Sequence, residues 1–298
     1  MSQTMVETPS TTGVVCMWNG TQDGKEGVLN IANGRTNLRP YHQVNITVQD
    51  MRNMSPRPTV VTDGYEFLTS PSSIPTEVFT TASSPESKAI LETKYHEECC
   101  NLVKKVTGAA EAFTFVHRIR SQNQNLTEAL DLMKQDRHGG TVPAAHVDRD
   151  LVTAPERLRS SLGEEKAEEL MAKYKRWACV NVWRPVCPVV QRWPLCLVNH
   201  KAVPDWHYET HIGRIHMTND DLIGSRGAKA HEAILKHDPR YEYLYASNMT
   251  PDEVLLFCAF HSDPKLGIPH SAFWDYNTNP DAPNRISCEV RTWVFWED

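Results

Sequence analysis

From Trp177 to its end the chain alternates short apolar, β-favouring runs with loops, and this pattern restricts the fold more than any other feature. The runs are ACVNVW, PLCLV, EYLYAS, EVLLFCAF and SCEVRTWVFW. Their lengths and their aromatic and β-branched content suit strands, and few helices interrupt them, so the C-terminal part is expected to be mostly antiparallel sheet. Helical signals come earlier. Ser84–Val106 opens on a capping serine with proline in the first turn, then places Ala89, Ile90, Tyr95, Cys99, Leu102, Val103 and Val106 mostly three or four residues apart, and Gly108 ends it. Ala112–Ile119 reads as a strand. A loop through Gly139-Gly140 leads to PAAHVDRDL, and Pro155–Trp177 reads as a second helix. Residues 13–65 read as irregular chain with a few short strands, and residues 1–12 as a disordered polar tail. Residues 13–298 are expected to form one α+β domain, with a β-sandwich or jelly-roll core and flanking helices.

The bulk properties remove several function classes. The chain has 298 residues and a formal net charge of −6, from 31 basic and 37 acidic side chains. A mildly acidic chain without a basic block is poorly suited to phosphate backbones, so no nucleic-acid partner is expected. No run of 18 apolar residues predicts a membrane span, and the first residues lack the apolar core of a secretory signal. The eight cysteines include no CxxC pair and several sit in apolar runs, which favours buried free thiols in a reducing cytoplasm.

The chemistry starts at His146-Val147-Asp148. Residues i and i+2 of a strand project from one face, so this triplet aims an imidazole and a carboxylate into the same cavity. Two histidines and one carboxylate on one side of a metal form the facial triad of iron(II) oxygenases, which leaves positions open for co-substrate and dioxygen. A third ligand has to be a distant histidine. Of the 13 histidines, His270 in GIPHSAFWD has the best context, between EVLLFCAF and SCEVRTWVF and on the strand before the last. Arg285 and Arg291 follow at an even separation, so both can face inward, and a planar guanidinium suits the distal carboxylate of 2-oxoglutarate.

Other candidates carry weaker signals. Asn181 and Trp183 share a face of one predicted strand and Arg184 points the other way, so they form either a pocket wall touching co-substrate and substrate or ordinary core and rim. His207, His211 and His216 are spaced like a helical metal cluster, but their surroundings show no helical stripe and solvated loop histidines are the expectation. Tyr241, Tyr243 and Tyr245 alternate along one sheet face, where packing is the usual role and Tyr243 is the candidate substrate contact. Cys99-Cys100 reads as core filler on a helix.

Several segments together resemble the fungal AsaB-like hydroxylase/desaturase family, a group that also takes in relatives of cephem methoxylase components and gibberellin desaturase. They are DGYEFL (63–68), YHEECCNLVKKVTGA (95–109), FVHRIR (115–120), HVDRDLVTAPERL (146–158), NVWRPVCPVVQRWPLCLVN (181–199), MTPDEVLLF (249–257), PHSAFWD (269–275) and APNRISCEVR (282–291). The resemblance runs from about residue 50 to the end. It implies a double-stranded β-helix, iron(II) and 2-oxoglutarate as cofactors, and a small-molecule substrate of specialised metabolism oxidised by dioxygen. By position it assigns His146, Asp148 and His270 to the metal, and Arg285 ahead of Arg291 to 2-oxoglutarate, with Arg184 as the next choice. Two segments depart from the family pattern: Asn199 stands where an aspartate is common, and Arg285-Ile286-Ser287 where Arg-Glu-Ser is common. The departures keep two alternatives in play, a redox-neutral isomerase, cyclase or hydrolase and a non-catalytic binding module. Whether the chain forms a homodimer is left open.

Overall fold

The computed structural model describes residues 9–30, 33–121, 140–218, 231–279 and 281–297. Its strands are β1 (Ser10–Met17), β2 (Gly27–Asn30), β3 (His42–Asp50), β4 (Tyr65–Thr69), β5 (Glu111–Ser121), β6 (His146–Val147), β7 (Arg176–Pro185), β8 (Leu195–Asn199), β9 (Ile212–Thr218), β10 (His231–Leu235), β11 (Glu242–Tyr245), β12 (Glu253–His261), β13 (His270–Ala272), β14 (Trp274–Asp275) and β15 (Ile286–Trp296). Among the described residues they form a ten-stranded sheet, in the order β14-β1-β3-β11-β8-β13-β6-β10-β9-β2, and a five-stranded sheet, β4-β12-β7-β15-β5. Most pairings are antiparallel. No helix among the described residues is long and apolar enough to cross a membrane.

The small sheet explains why its strands read as nearly continuous apolar runs. One face of β7, β12 and β15 packs Ala178, Val180, Val182, Leu256, Cys258, Val290 and Val294 against Leu91, Tyr95, Cys99 and Val103 of the helical layer. The opposite face carries Cys179, Phe260, Trp293 and Phe295 into the second core cluster. A strand covered on both sides loses the polar alternation that marks a half-exposed one. Burying such side chains contributes about 25 cal/mol per Å² of apolar area, and it fixes the small sheet as a rigid wall.

The helix expected over Ser84–Val106 is present as Pro85–Ile90, a π-type turn Leu91–Tyr95, and His96–Thr107. Ser84 caps it by accepting from the Ser87 amide, and Gly108 closes it in the left-handed region at φ 64°. The second helix is two helices, Thr153–Leu162 and Glu164–Lys173. Gly163 at φ 88° breaks the run, and Trp177, expected to end it, lies within β7. Part of the segment expected to be a tail, residues 1–12, lies in β1. Ser10, Thr11 and Thr12 already pair with Gln49, Val48 and Thr47, while residues 1–8 lie outside the described residues. Gly139 of the expected Gly139-Gly140 loop lies outside them too. All eight cysteines are free thiols, seven of them buried.

Outside the cavity, His96 on the long helix and His117 on β5 place ring nitrogens 2.9 Å apart, so one proton serves both. Burial, and next the neighbouring His117, pull His96 down to about 4. An unfolded histidine titrates near ~6.5, so the unfolded chain takes up the proton first and stability falls as pH drops from ~6.5 towards 4. Above ~6.5 the contribution is fully present. His96→Gln should therefore lose less stability than the wild type between pH 7 and pH 5 in denaturant titrations of metal-free protein. An equal loss in both would show that the pair does not titrate in this way.

Candidate metal centre and co-substrate pocket

The two histidines meet because their strands are neighbours. In the ladder between β6 and β13, His270 is the direct partner of His146, and their ring centroids lie 4.4 Å apart. Directly opposed residues of an antiparallel pair share a face, so both rings enter the space between the sheets. Just before β13, Gly267 passes so close against the Tyr208 hydroxyl that no side chain fits there. Its carbonyl accepts from His200 at 2.8 Å. Asp148 stands one residue beyond the end of β6, in a bend and not on the strand as expected, yet it points to the same place. One ligand atom from each of His146, Asp148 and His270 lies within 4.8 Å of the other two, and this is the one such group found among the described residues. His270 also precedes two further strands, β14 and β15, where the sequence led us to expect one.

The supporting contacts leave the ligand atoms ready. His146 Nδ1 donates to the Ala144 carbonyl at 2.7 Å, and His270 Nδ1 faces the Ile268 carbonyl at 3.3 Å. A carbonyl only accepts, so the proton sits on Nδ1 and the Nε2 lone pair is left for a cation. Burial, then the neighbouring His270, hold His146 at about 4, so it is neutral at ordinary pH. For Asp148, burial alone would raise the pKa. Arg291 overrides it, followed by His270, His146 and Arg149, and the carboxyl is held well below the usual carboxylate range. Arg291 Nη2 donates to Asp148 Oδ1 at 2.8 Å and Asn181 Nδ2 to Oδ2 at 2.8 Å, which fixes the carboxylate from both sides.

The arginines separate by what they already hold. Arg291 is committed, since besides Asp148 it reaches Glu289 Oε1 through Nε at 3.1 Å and Nη2 at 2.9 Å. Arg285 is buried at 2% exposure and among the described residues makes one hydrogen bond, from Nη1 to the Trp193 carbonyl at 2.6 Å, while its Nε has no partner there. Its guanidinium lies 5.4 Å over the Trp183 ring, in a pocket shared with His146, His270 and Arg120. Burial first, and Arg120 next, pull its pKa below the ordinary guanidinium value, which marks a cation short of an anion. Arg184 does not belong to the site. It is sealed on the helical side of β7, bonded to the Tyr95 hydroxyl at 3.0 Å and to the Ser70 and Pro251 carbonyls at 2.7 and 2.6 Å.

Asn181 is in the site, but it contacts Asp148 instead of leaving its amide for a co-substrate. Trp183 lines the pocket. Tyr243 does not line it. It is buried in β11 between Val48 and Val198, in the apolar core. His207, His211 and His216 form no metal group: His207 accepts from the Glu209 amide at the start of a short helix, and His216 on β9 lies 2.9 Å from Glu26. Arg120 and Glu289 were missed by sequence reasoning. Their one signal is parity, since Arg118 and Arg120 of β5 face Glu289 and Ser287 of β15 across the ladder.

Comparison with known proteins matches this frame. A family model described as "Oxidoreductase/YMDC permease-like domain" covers residues 19–295. Oxidoreductase R2 of a Phoma species is 51% identical over 290 residues, 97% of each chain. The alpha-ketoglutarate-dependent dioxygenase phiK of a fungal species is 30% identical over 213 residues, 69% of this chain and 71% of that one. Fungal proteins named hydroxylase/desaturase match as well. Among solved structures, the iron and alpha-ketoglutarate-dependent endoperoxidase NvfI superposes with a TM-score of 0.78 at 22% identity, over 98% of this chain and 100% of that one. That likeness makes the two-sheet frame a double-stranded β-helix. The chain belongs to the fungal hydroxylase/desaturase family of oxidoreductases, which takes in alpha-ketoglutarate-dependent dioxygenases, and it is an enzyme of that oxygenase class.

Proposed function

We propose that the chain binds iron(II) through His146, Asp148 and His270, holds the distal carboxylate of 2-oxoglutarate on Arg285 with Arg120 beside it, and oxidises a small molecule of fungal specialised metabolism. The observation that carries the reading is the pairing of two features in one cavity: two imidazoles with free Nε2 atoms next to a clamped carboxylate, and a buried arginine with an unused donor. The donor set suits iron(II), with two neutral nitrogens and one anionic oxygen on one side. With both cofactors bound, the site supplies oxidation of a substrate C–H bond by dioxygen, coupled to decarboxylation of 2-oxoglutarate to succinate.

The chain's own residues do the positioning. Asn181 and Arg291 set the Asp148 carboxylate plane, and the Ala144 and Ile268 carbonyls set the ring orientations. Trp183 walls the pocket with an aromatic face, which excludes water and supports the Arg285 guanidinium. The choice between hydroxylation, desaturation and ring formation follows from where the substrate carbon is held relative to the metal.

Asn181→Ala removes one of the two groups that orient Asp148. Iron affinity should drop by roughly 10–100-fold while the fold persists, the usual penalty for losing an outer-shell partner. Anaerobic titration of iron(II) into protein with 2-oxoglutarate, followed by its visible charge-transfer band, reads this directly. The wild type should develop the band at one iron per chain. A band of wild-type midpoint in Asn181→Ala would remove Asn181 from the positioning role, and no band in the wild type would sink the proposed function.

A further inference from the structure

Guanidinium groups crowd the metal side of the cavity beyond what iron and 2-oxoglutarate require. Arg118, Arg120, Arg149, Arg285 and Arg291 surround it, against Asp148, Glu232 and Glu289. An iron(II) dication and a 2-oxoglutarate dianion cancel, so a cationic surplus persists in the loaded site. Arg291 is committed to Asp148 and Glu289, and Arg285 with Arg120 lies beside the His146–His270 pocket. Two arginines are then unassigned.

Arg118 stands opposite Glu289 in the ladder between β5 and β15, so it shares the cavity face of the sheet. It is exposed and makes no hydrogen bond or ion pair among the described residues. Arg149, next to Asp148, is half-buried. Its guanidinium donates to the Asp148 backbone carbonyl and pairs with no carboxylate among the described residues. Arg118 is diagonal to Arg291 on one face of that ladder, and Arg291 holds Asp148, the chain neighbour and hydrogen-bond partner of Arg149, so the two arginines flank the same ion pair. A half-buried cation without a carboxylate partner, such as Arg149, is costly and is stabilised when a ligand brings one, and the exposed Arg118 guanidinium is a second donor for the same anion.

We infer that Arg118 and Arg149 form a second anion-binding subsite beside the metal, which takes a carboxylate of the organic substrate. The inference rests on the function proposed above and narrows its substrate class to organic acids. An acid held there by its carboxylate presents its carbon skeleton towards Asp148 and the two histidines. Arginine forks match the planar two-oxygen edge of a carboxylate, and they accept a phosphate as well, so the test carries both.

The test uses the whole chain loaded with manganese(II), which is paramagnetic, and saturating 2-oxoglutarate. Benzoate, benzamide and phenyl phosphate share one ring and differ in charge. Metal-induced relaxation of their ring protons reports binding close to the metal, and relaxation of the 2-oxoglutarate protons reports the co-substrate separately. Benzoate should show saturable relaxation and benzamide none. Arg118→Gln and Arg149→Gln should each weaken benzoate about tenfold, the effect of one charge-assisted contact, with 2-oxoglutarate binding retained in Arg118→Gln. The inference is overturned if benzamide matches benzoate, if both variants bind benzoate like the wild type, or if 2-oxoglutarate displaces benzoate. Phenyl phosphate binding tenfold tighter than benzoate would overturn the carboxylate class. Failure of 2-oxoglutarate alone to bind would sink the proposed function, while the benzoate measurements still read the subsite.

Discussion

Asp148→Ala is expected to abolish substrate-dependent succinate formation and to weaken iron(II) by more than the roughly 10–100-fold that loss of an outer-shell partner costs. The carboxylate is the single anionic group among the three proposed ligands, and it faces two imidazoles whose free nitrogens cannot offset a dication by themselves. The same substitution tests the electrostatics of the metal-free protein. Asp148 and Arg291 form an ion pair 2.8 Å long with side chains only 8% and 11% exposed. Removing one member of such a buried pair costs about 3–5 kcal/mol when the other is stranded. Here Arg291 keeps its two hydrogen bonds to Glu289, so the loss should fall below that range. Asp148→Asn, which keeps the shape and one acceptor, should retain more stability than Asp148→Ala and still lose the metal. Denaturant midpoints of the two metal-free variants and their iron content give both readings. Full iron content in either one would remove Asp148 from the ligand set.

Arg285→Lys should raise the 2-oxoglutarate concentration needed for half-maximal turnover by about tenfold or more, with a smaller change in the substrate requirement. Lysine keeps the charge but loses the planar fork, and a compact ammonium cannot both donate to the Trp193 carbonyl and reach the co-substrate as the guanidinium does. The other two arginines give contrasting signatures. Arg291→Lys should act on iron affinity, because its partner is Asp148. Arg184→Lys should lower stability with the co-substrate requirement unchanged, because its partners are Tyr95, Ser70 and Pro251 on the far side of β7. If Arg291→Lys produced the co-substrate effect and Arg285→Lys did not, the anchor assignment would be reversed.

What was legible in the sequence follows from which forces are local. The strands of the small sheet were visible because burial on both faces leaves long apolar runs, and the helix before β5 because its stripe, cap and terminal glycine all agree. The His-x-Asp pair was visible because residues two apart in extended chain need no topology to share a face, and Asp148 keeps that direction although it stands one residue past the end of β6. His270 was placed by context alone. Its meeting with His146 depends on the register of β6 against β13, which no local pattern encodes. Arg285 and Arg291 were indistinguishable by parity, and they differ only through partners on other strands. Arg118 and Arg120 sit at the end of a run that reads as a strand, and nothing local marks them until the pairing of β5 with β15 sets them opposite Glu289 and Ser287. The start of β1 was missed because Ser10, Thr11 and Thr12 are polar and gain their strand character from β3. Gly163 was legible as a residue but not as a break, since a single glycine inside a helical pattern is commonly tolerated.

The central claim is that the cavity holding His146, Asp148, His270 and Arg285 turns over 2-oxoglutarate with iron and dioxygen. It is tested most directly by one assay of the wild-type protein, which follows succinate from 2-oxoglutarate with iron(II) under air, under nitrogen, and under air with a chelator. The account predicts succinate under air alone, and its loss in both of the other conditions. Undiminished turnover of an organic substrate without metal and oxygen, with 2-oxoglutarate left intact, would contradict it.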